Sequence, residues 1–181
     1  MPKIYLSPST QDQNPYVDGS GSEEYWMNLL ADALEPYLYA NTIAFVRNSP
    51  EMTAASSIAQ ANQLGGFDFY LALHSNASGE GQAGKNRGII VFYYPTSSDG
   101  KRAAELFAAR LREVYPLPSK VTTQATTTLG EVRRPRYPAN LIELGYHDNY
   151  DDARWIQNNL DAAAQAIARG LTEYFGLPFL Y

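Results

Sequence analysis

Short apolar runs alternate along this chain with stretches of helical periodicity. Ile4–Leu6 is the first run and stops at the turn-forming Ser7-Pro8-Ser9-Thr10. Gln11–Ser22 is polar, carries Gly19 and Gly21, and reads as a loop that ends at a helix start. Ser22 suits an N-cap, and Glu23 and Glu24 in the first turn suit the helix dipole. Trp26, Leu29, Leu30, Ala33 and Leu34 then recur at helical spacing. Pro36 is expected to kink or end this helix unless Tyr37 and Leu38 carry it on. Thr42–Val46 predicts a second strand, Arg47-Asn48-Ser49-Pro50 a turn, and Thr53–Asn62 an alanine-rich helix stopped by Gly65-Gly66.

Phe67–Leu73 is almost continuously apolar, the pattern of a strand buried on both faces, and is expected to stop at His74-Ser75-Asn76-Ala77. A glycine-rich loop, Gly79–Gly88, leads to a strand at Ile89–Tyr94 and an amphipathic helix at Asp99–Val114, which Pro116 and Pro118 close. Val121–Leu129 is threonine-rich and reads as a strand or an extended loop. Asn140–Leu144 is an apolar strand with Glu143 inside it, His147-Asp148-Asn149 a turn, and Asp151–Phe175 two helical stretches. This alternation predicts an α/β domain: a largely parallel or mixed sheet with helices on both faces. The apolar tail Leu177–Tyr181 is expected to dock on the domain or to lead on to a further module.

Composition narrows the function classes. The 181 residues suit one domain, and 45% hydrophobic with 18% charged residues excludes intrinsic disorder. No apolar run reaches the roughly 18 residues of a membrane span. The net charge of −5 and the absence of a basic stripe argue against nucleic acid. With no cysteine, disulfides, thiolate metal sites and a cysteine nucleophile are excluded. Met1-Pro2-Lys3 leads straight into the first strand, so no export signal is expected on this chain. The 14 tyrosines suit a groove for sugars or peptides, or simply strand edges.

Open α/β sheets bind ligands at the carboxyl ends of their strands. Both histidines of the chain, His74 and His147, follow strand ends. Glu143 begins inside an apolar run, where a carboxylate is costly unless paired or used. It either pairs with Arg133 or Arg134, or serves as a general base whose pKa is raised by apolar surroundings. A histidine, a carboxylate and one further ligand would make a zinc site with an open position. No H-E-x-x-H or G-x-S-x-G occurs, so helix-borne zinc peptidases and serine hydrolases find no support.

Taken in order, five segments resemble the zinc-dependent N-acetylmuramoyl-L-alanine amidases of the type 3 family. KIYLSPSTQ at Lys3–Gln11 stands where that family has a strand ending in D-P-G-H-G. Glu24 and Asn28 in EYWMN resemble its E-x-x-x-N, and LALHSNA at Leu71–Ala77 its S-I-H-x-N-A. Arg87-Gly88 before IIVFYY resembles its glycine-then-strand, and ANLIELGYHDN at Ala139–Asn149 its P-A-V-L-V-E-x-G-F-L-S-N. The resemblance implies a twisted sheet of about six strands and one catalytic domain over residues 1–181. It implies cleavage of the amide between N-acetylmuramic acid and the L-alanine of the peptidoglycan stem. Glu24 and His74 would be zinc ligands and Glu143 the general base. Asn76 and Arg133 would contact substrate, with Arg134 as the alternative arginine. The loop Gly79–Arg87 and Tyr93, Tyr94 and Tyr146 would line the groove.

One position departs from the family. Thr10 stands where the first-loop histidine ligand belongs, and a neutral hydroxyl is a poor zinc ligand. His147, four residues past Glu143, is therefore expected to supply the missing ligand; otherwise it is a turn residue and the metal site is weak. The resemblance further implies a monomeric wall hydrolase, an autolysin or a phage endolysin, secreted or wall-associated. Peptidoglycan would be its partner, with neither nucleic acid nor membrane. Two alternatives stand beside it: a peptidoglycan-binding domain that no longer cuts, and a zinc peptidase acting on the stem peptide.

Overall fold

The computed structural model describes residues Met1–Tyr181. Its six strands are β1 (Lys3–Pro8), β2 (Ala44–Arg47), β3 (Phe69–Asn76), β4 (Ile89–Tyr93), β5 (Val121–Ala125) and β6 (Ala139–Tyr146). Its helices are α1 (Glu23–Ala40), α2 (Ala54–Leu64), α3 (Ser98–Arg112), the single turn α4 (Gly130–Arg133), α5 (Tyr150–Asn158) and α6 (Leu160–Phe175). The sheet order is β2-β1-β3-β6-β4-β5. The first four strands in that order are parallel; β4 runs antiparallel to β6, and β5 parallel to β4. The expected mixed α/β sheet with helices on both faces is what forms.

Strand alternation sorts the side chains into two layers. Ile4, Leu6, Phe69, Leu71, Leu73, Ile142 and Leu144 face the larger core, which α1, α3 and α6 cover with Leu30, Leu34, Phe107, Ile167 and Leu171. Tyr5, Tyr70, Ala72 and Leu141 face a smaller cluster closed by Ile58 of α2 and Val132 of α4. Continuing the same alternation, Ser7, His74 and Glu143 leave the sheet on that second side, at its carboxyl edge.

Local chemistry explains the helix ends. The Ser22 hydroxyl accepts from the Tyr25 N–H at 3.1 Å and starts α1. Thr53 and Ser56 form a reciprocal capping box on α2, and Gly65 stops that helix at φ 70°. α1 runs through Pro36 to Ala40, because Leu34 and Leu38, one turn apart, are both fully buried on its inner face. The tail docks rather than trailing: Leu180 exchanges hydrogen bonds with the Asn41 side chain at 2.6 and 2.7 Å, and Phe179 lies against Tyr37. No helix is long and apolar enough to cross a membrane.

Candidate active site

β3 does not stop at Leu73. It continues to Asn76, so His74 is a strand residue, 7% exposed, near the carboxyl end. Its Nδ1 meets Glu23 Oε1 at 2.8 Å and its Nε2 meets Glu131 Oε2 at 2.7 Å. Carboxylates only accept hydrogen bonds, so the ring donates from both nitrogens and carries a positive charge. Burial alone would lower the His74 pKa, but the hydrogen bonds to Glu131 and Glu23 hold it well above the ordinary histidine value.

The two carboxylates come from opposite layers. Glu23 is the first residue of α1 and is 2% exposed. Its Oε2 accepts from Asn14 Nδ2 at 2.8 Å, and the same amide reaches Gln11 Oε1 at 2.8 Å. The loop before α1 thus folds around this acid. Burial opposes ionisation of Glu23, but its hydrogen bond to His74 and the imidazolium charge hold its pKa below the usual carboxylate range. Glu131 stands in α4, is 4% exposed, and accepts at Oε1 from the hydroxyls of Ser7 and Tyr70.

Glu143 is the register partner of His74 on β6. Its Oε2 is buried with no hydrogen-bond partner, and it pairs with neither Arg133 nor Arg134. Burial pushes its pKa up to about 7; the His74 charge pulls down, and Glu23 and Glu131 push up. Two cavities open beside the His74–Glu131 pair. One, of about 280 Å³, is polar and walled by Ser9, Thr10, Gln11, Asn48 and Thr53. The other, of about 320 Å³, is walled by Gln11, Ile58, Leu129, Arg134 and Leu141.

Several expected site residues lie elsewhere. The carboxylate on His74 belongs to Glu23, not Glu24, whose side chain makes no hydrogen bond or ion pair; one residue on a helix is a turn of about 100°. His147 is 5% exposed, but its Nδ1 meets Ser75 Oγ at 2.9 Å and its ring stacks on Tyr16 at 5.5 Å. Ser75 points to the opposite face of β3 from His74, which carries the His147 ring to that side. Burial lowers the His147 pKa. Arg133 is exposed and lines a separate cavity with Tyr94, Arg136 and Tyr137. Arg134, also exposed, is the arginine whose cavity His74 shares. The Asn76 side chain accepts from the Ala77 N–H at 2.9 Å and faces neither cavity. Because β4 is antiparallel, Tyr93 pairs with Asn140 at the far end of β6, so Tyr93 and Tyr94 are remote from His74.

The donor set does not fit the expected zinc. No three His, Asp or Glu side chains converge to hold a metal ion. Both His74 nitrogens are engaged by carboxylates on opposite sides of the ring, Thr10 offers a hydroxyl, and His147 is committed to Ser75. Sequence reading missed Glu23, Glu131, Ser7 and Tyr70. The stripe Met27, Leu30, Leu34 and Leu38 extrapolates back to Glu23 and was a usable signal; Glu131 had none.

Beyond His147, the turn is held by Asp148 and Asp152. Asp148 Oδ2 accepts from the Ser78 and Gly84 N–H groups, both at 3.1 Å. Asp152 is fully buried and takes Arg87 Nε at 2.9 Å, the Gly88 and Tyr146 N–H groups at 3.0 Å, and the Tyr115 hydroxyl. The loop Gly79–Arg87 is thereby tied to the end of β6. Gly145 makes the turn possible at φ 81°, with Asp152 packed 3.3 Å from where a Cβ would stand.

The family model of the N-acetylmuramoyl-L-alanine amidases matches residues 10–173. No curated protein matches by sequence. Among solved structures, the chain is similar to the N-acetylmuramoyl-L-alanine amidase AmiC2 of Nostoc punctiforme, at TM-score 0.82 and 17% identity, covering 97% of each chain. It is similar to the CwlD amidase of Clostridioides difficile, solved with the GerS lipoprotein, at TM-score 0.83 and 15% identity, covering 97% of this chain and 99% of that one. It is also similar to the catalytic domain of CwlV from Bacillus (Paenibacillus) polymyxa, at TM-score 0.79 and 18% identity, covering 98% and 100%.

Proposed function

Because the chain belongs to the N-acetylmuramoyl-L-alanine amidase family, hydrolases of the amide joining N-acetylmuramic acid to the peptidoglycan stem peptide, we propose that this hydrolysis occurs at the His74–Glu143 centre. The supporting observation is Glu143: a carboxylate with an unpartnered buried oxygen, beside a charged imidazole, at the carboxyl edge of the sheet. Amide hydrolysis needs a base for the attacking water and an acid for the leaving amine. A carboxyl group poised near neutral pH can do both in turn: accept the water proton, then pass it to the amine of L-alanine. His74 holds positive charge next to that carboxylate and favours its ionised form. The adjoining polar cavity, with Gln11, Asn48 and Thr53, offers donors and acceptors for the polar groups of a muropeptide.

Zinc dependence is general in this family. Here the expected set of Glu24, His74 and His147 does not converge, and no step of this reading passes through a metal. We read residues 1–181 as one catalytic domain, monomeric, acting on the wall outside the cytoplasm as an autolysin or endolysin. Digestion of purified sacculi tests the reaction. New L-alanine amino termini, with the muramic lactyl carboxylate set free, support it. Fragments cut within the stem peptide would make the enzyme a peptidase, and binding without any release would make it a wall-binding domain.

A further inference from the structure

Glu131 is a buried acid far from His74 in sequence, and all its hydrogen bonds converge on the centre. Oε2 takes His74 Nε2 at 2.7 Å, and Oε1 takes the Ser7 and Tyr70 hydroxyls. Those three donors come from β1 and β3, and they leave the carboxylate one position. Across the ring, Glu23 holds Nδ1 at 2.8 Å and is itself fixed by Asn14. A buried charge is tolerated when it is paired and hydrogen-bonded, and here both faces of the pair are met.

We propose that Glu131 is the positioning residue of the reaction centre: it fixes the orientation of His74 and keeps a proton on Nε2, so that this nitrogen is a hydrogen-bond donor and not a metal ligand. The assignment rests on the reading of His74 and Glu143 as the hydrolytic centre. Its physical basis is separable from that reading. A carboxylate accepts on both oxygens, whereas the amide of glutamine accepts on one side and donates on the other. In Glu131→Gln the Ser7 and Tyr70 hydroxyls retain the carbonyl oxygen. The amide NH₂ then faces Nε2, and two donors cannot share that contact. His74 must give up the Nε2 proton and accept, while Nδ1 stays on Glu23.

The test is nitrogen NMR of histidine-labelled protein. The chain has two histidines, and the signals that vanish in His147→Phe leave those of His74. Near neutral pH the parent should show both His74 ring nitrogens protonated. Glu131→Gln should turn Nε2 into an unprotonated acceptor without loss of fold by circular dichroism. Turnover on a soluble muropeptide should fall by about 10²–10⁴, the usual cost of a misplaced proton in such centres, with KM little changed. Glu131→Ala, which removes both the acceptor and its charge from a buried ring, should likewise lower turnover and leave Nε2 without its proton. An unprotonated or zinc-bound Nε2 in the parent, or His74 signals unchanged in Glu131→Gln, would overturn the proposal. So would an activity loss that merely tracks the unfolded fraction. If the parent releases nothing from muropeptides, the hydrolytic reading falls, while the ring-nitrogen spectra still decide the role of Glu131.

Discussion

Glu143 and His74 are register partners on adjacent parallel strands, β6 and β3, and their side chains leave the sheet on the same face. Backbone pairing alone brings the free carboxylate to the imidazole; neither depends on a loop for its place. Sites carried on strands hold geometry more tightly than sites on loops.

Removing the base while keeping its shape is the most direct check. Glu143→Gln should lower turnover on sacculi by about 10²–10⁴, the usual share of general acid–base catalysis. The His74 hydrogen bonds to Glu23 and Glu131 do not involve residue 143, so the fold should persist. Retained turnover in a folded Glu143→Gln protein would move the base elsewhere.

The same substitution has a stability signature. Burial raises the Glu143 pKa from its ordinary 4.5 to about 7. Between those values the folded chain binds more protons at this site than the unfolded chain, so its contribution to stability falls as pH rises. Glu143→Gln should therefore gain on the parent across that window and show no further relative change above it. Urea unfolding of both proteins over a pH series measures the difference; a flat difference would mean that the carboxyl is ordinary.

Metal content separates the ligand set read from sequence from the arrangement observed. The purified chain should retain well under one zinc per molecule, and His147→Ala should not change that level. His147→Ala should instead lose about 1–3 kcal/mol of stability, because Ser75 loses a buried partner. Elemental analysis showing one firmly held zinc that His147→Ala releases would reinstate His147 as a ligand.

The turn after β6 gives a structural prediction. Asp152→Asn weakens the Arg87 pair and should cost about 3 kcal/mol. Gly145→Ala forces a side chain into φ 81° against Asp152 and should cost at least about 1 kcal/mol. Loop Gly79–Arg87 should become the first site of proteolysis in both variants. Limited proteolysis that cuts elsewhere would disconnect Asp152 from the loop.

Much of this arrangement was legible in the sequence. Alternating apolar runs and helical periodicities gave the α/β sheet, and the apolar run around Glu143 marked a carboxylate with no cheap place to go. Three features were not legible, each for a physical reason. The polar end of β3 resembles a turn, because His74 is made buriable only by Glu23 and Glu131, which come from distant segments. On α1, the likeness to E-x-x-x-N favours Glu24; the buried stripe Met27, Leu30, Leu34 and Leu38 points to Glu23 instead, but Trp26, Leu29 and Ala33 beside it obscure that stripe until the helix is packed. Strand direction is a tertiary property, so nothing local marks β4 as antiparallel or places Tyr93, Tyr94 and Arg133 at the far end of β6.

The position of β6 has a consequence for how the chain is made. It is the last strand in the sequence, yet it lies between β3 and β4. Until Ala139–Tyr146 has left the ribosome, β2-β1-β3 can form only an open parallel sheet and β4-β5 only a two-stranded ribbon. Each then exposes an apolar edge that only β6 will cover, and pairings this distant in sequence form slowly. Synthesis halted before Ala139 would thus yield a chain that seeks strands from its neighbours rather than a smaller folded unit.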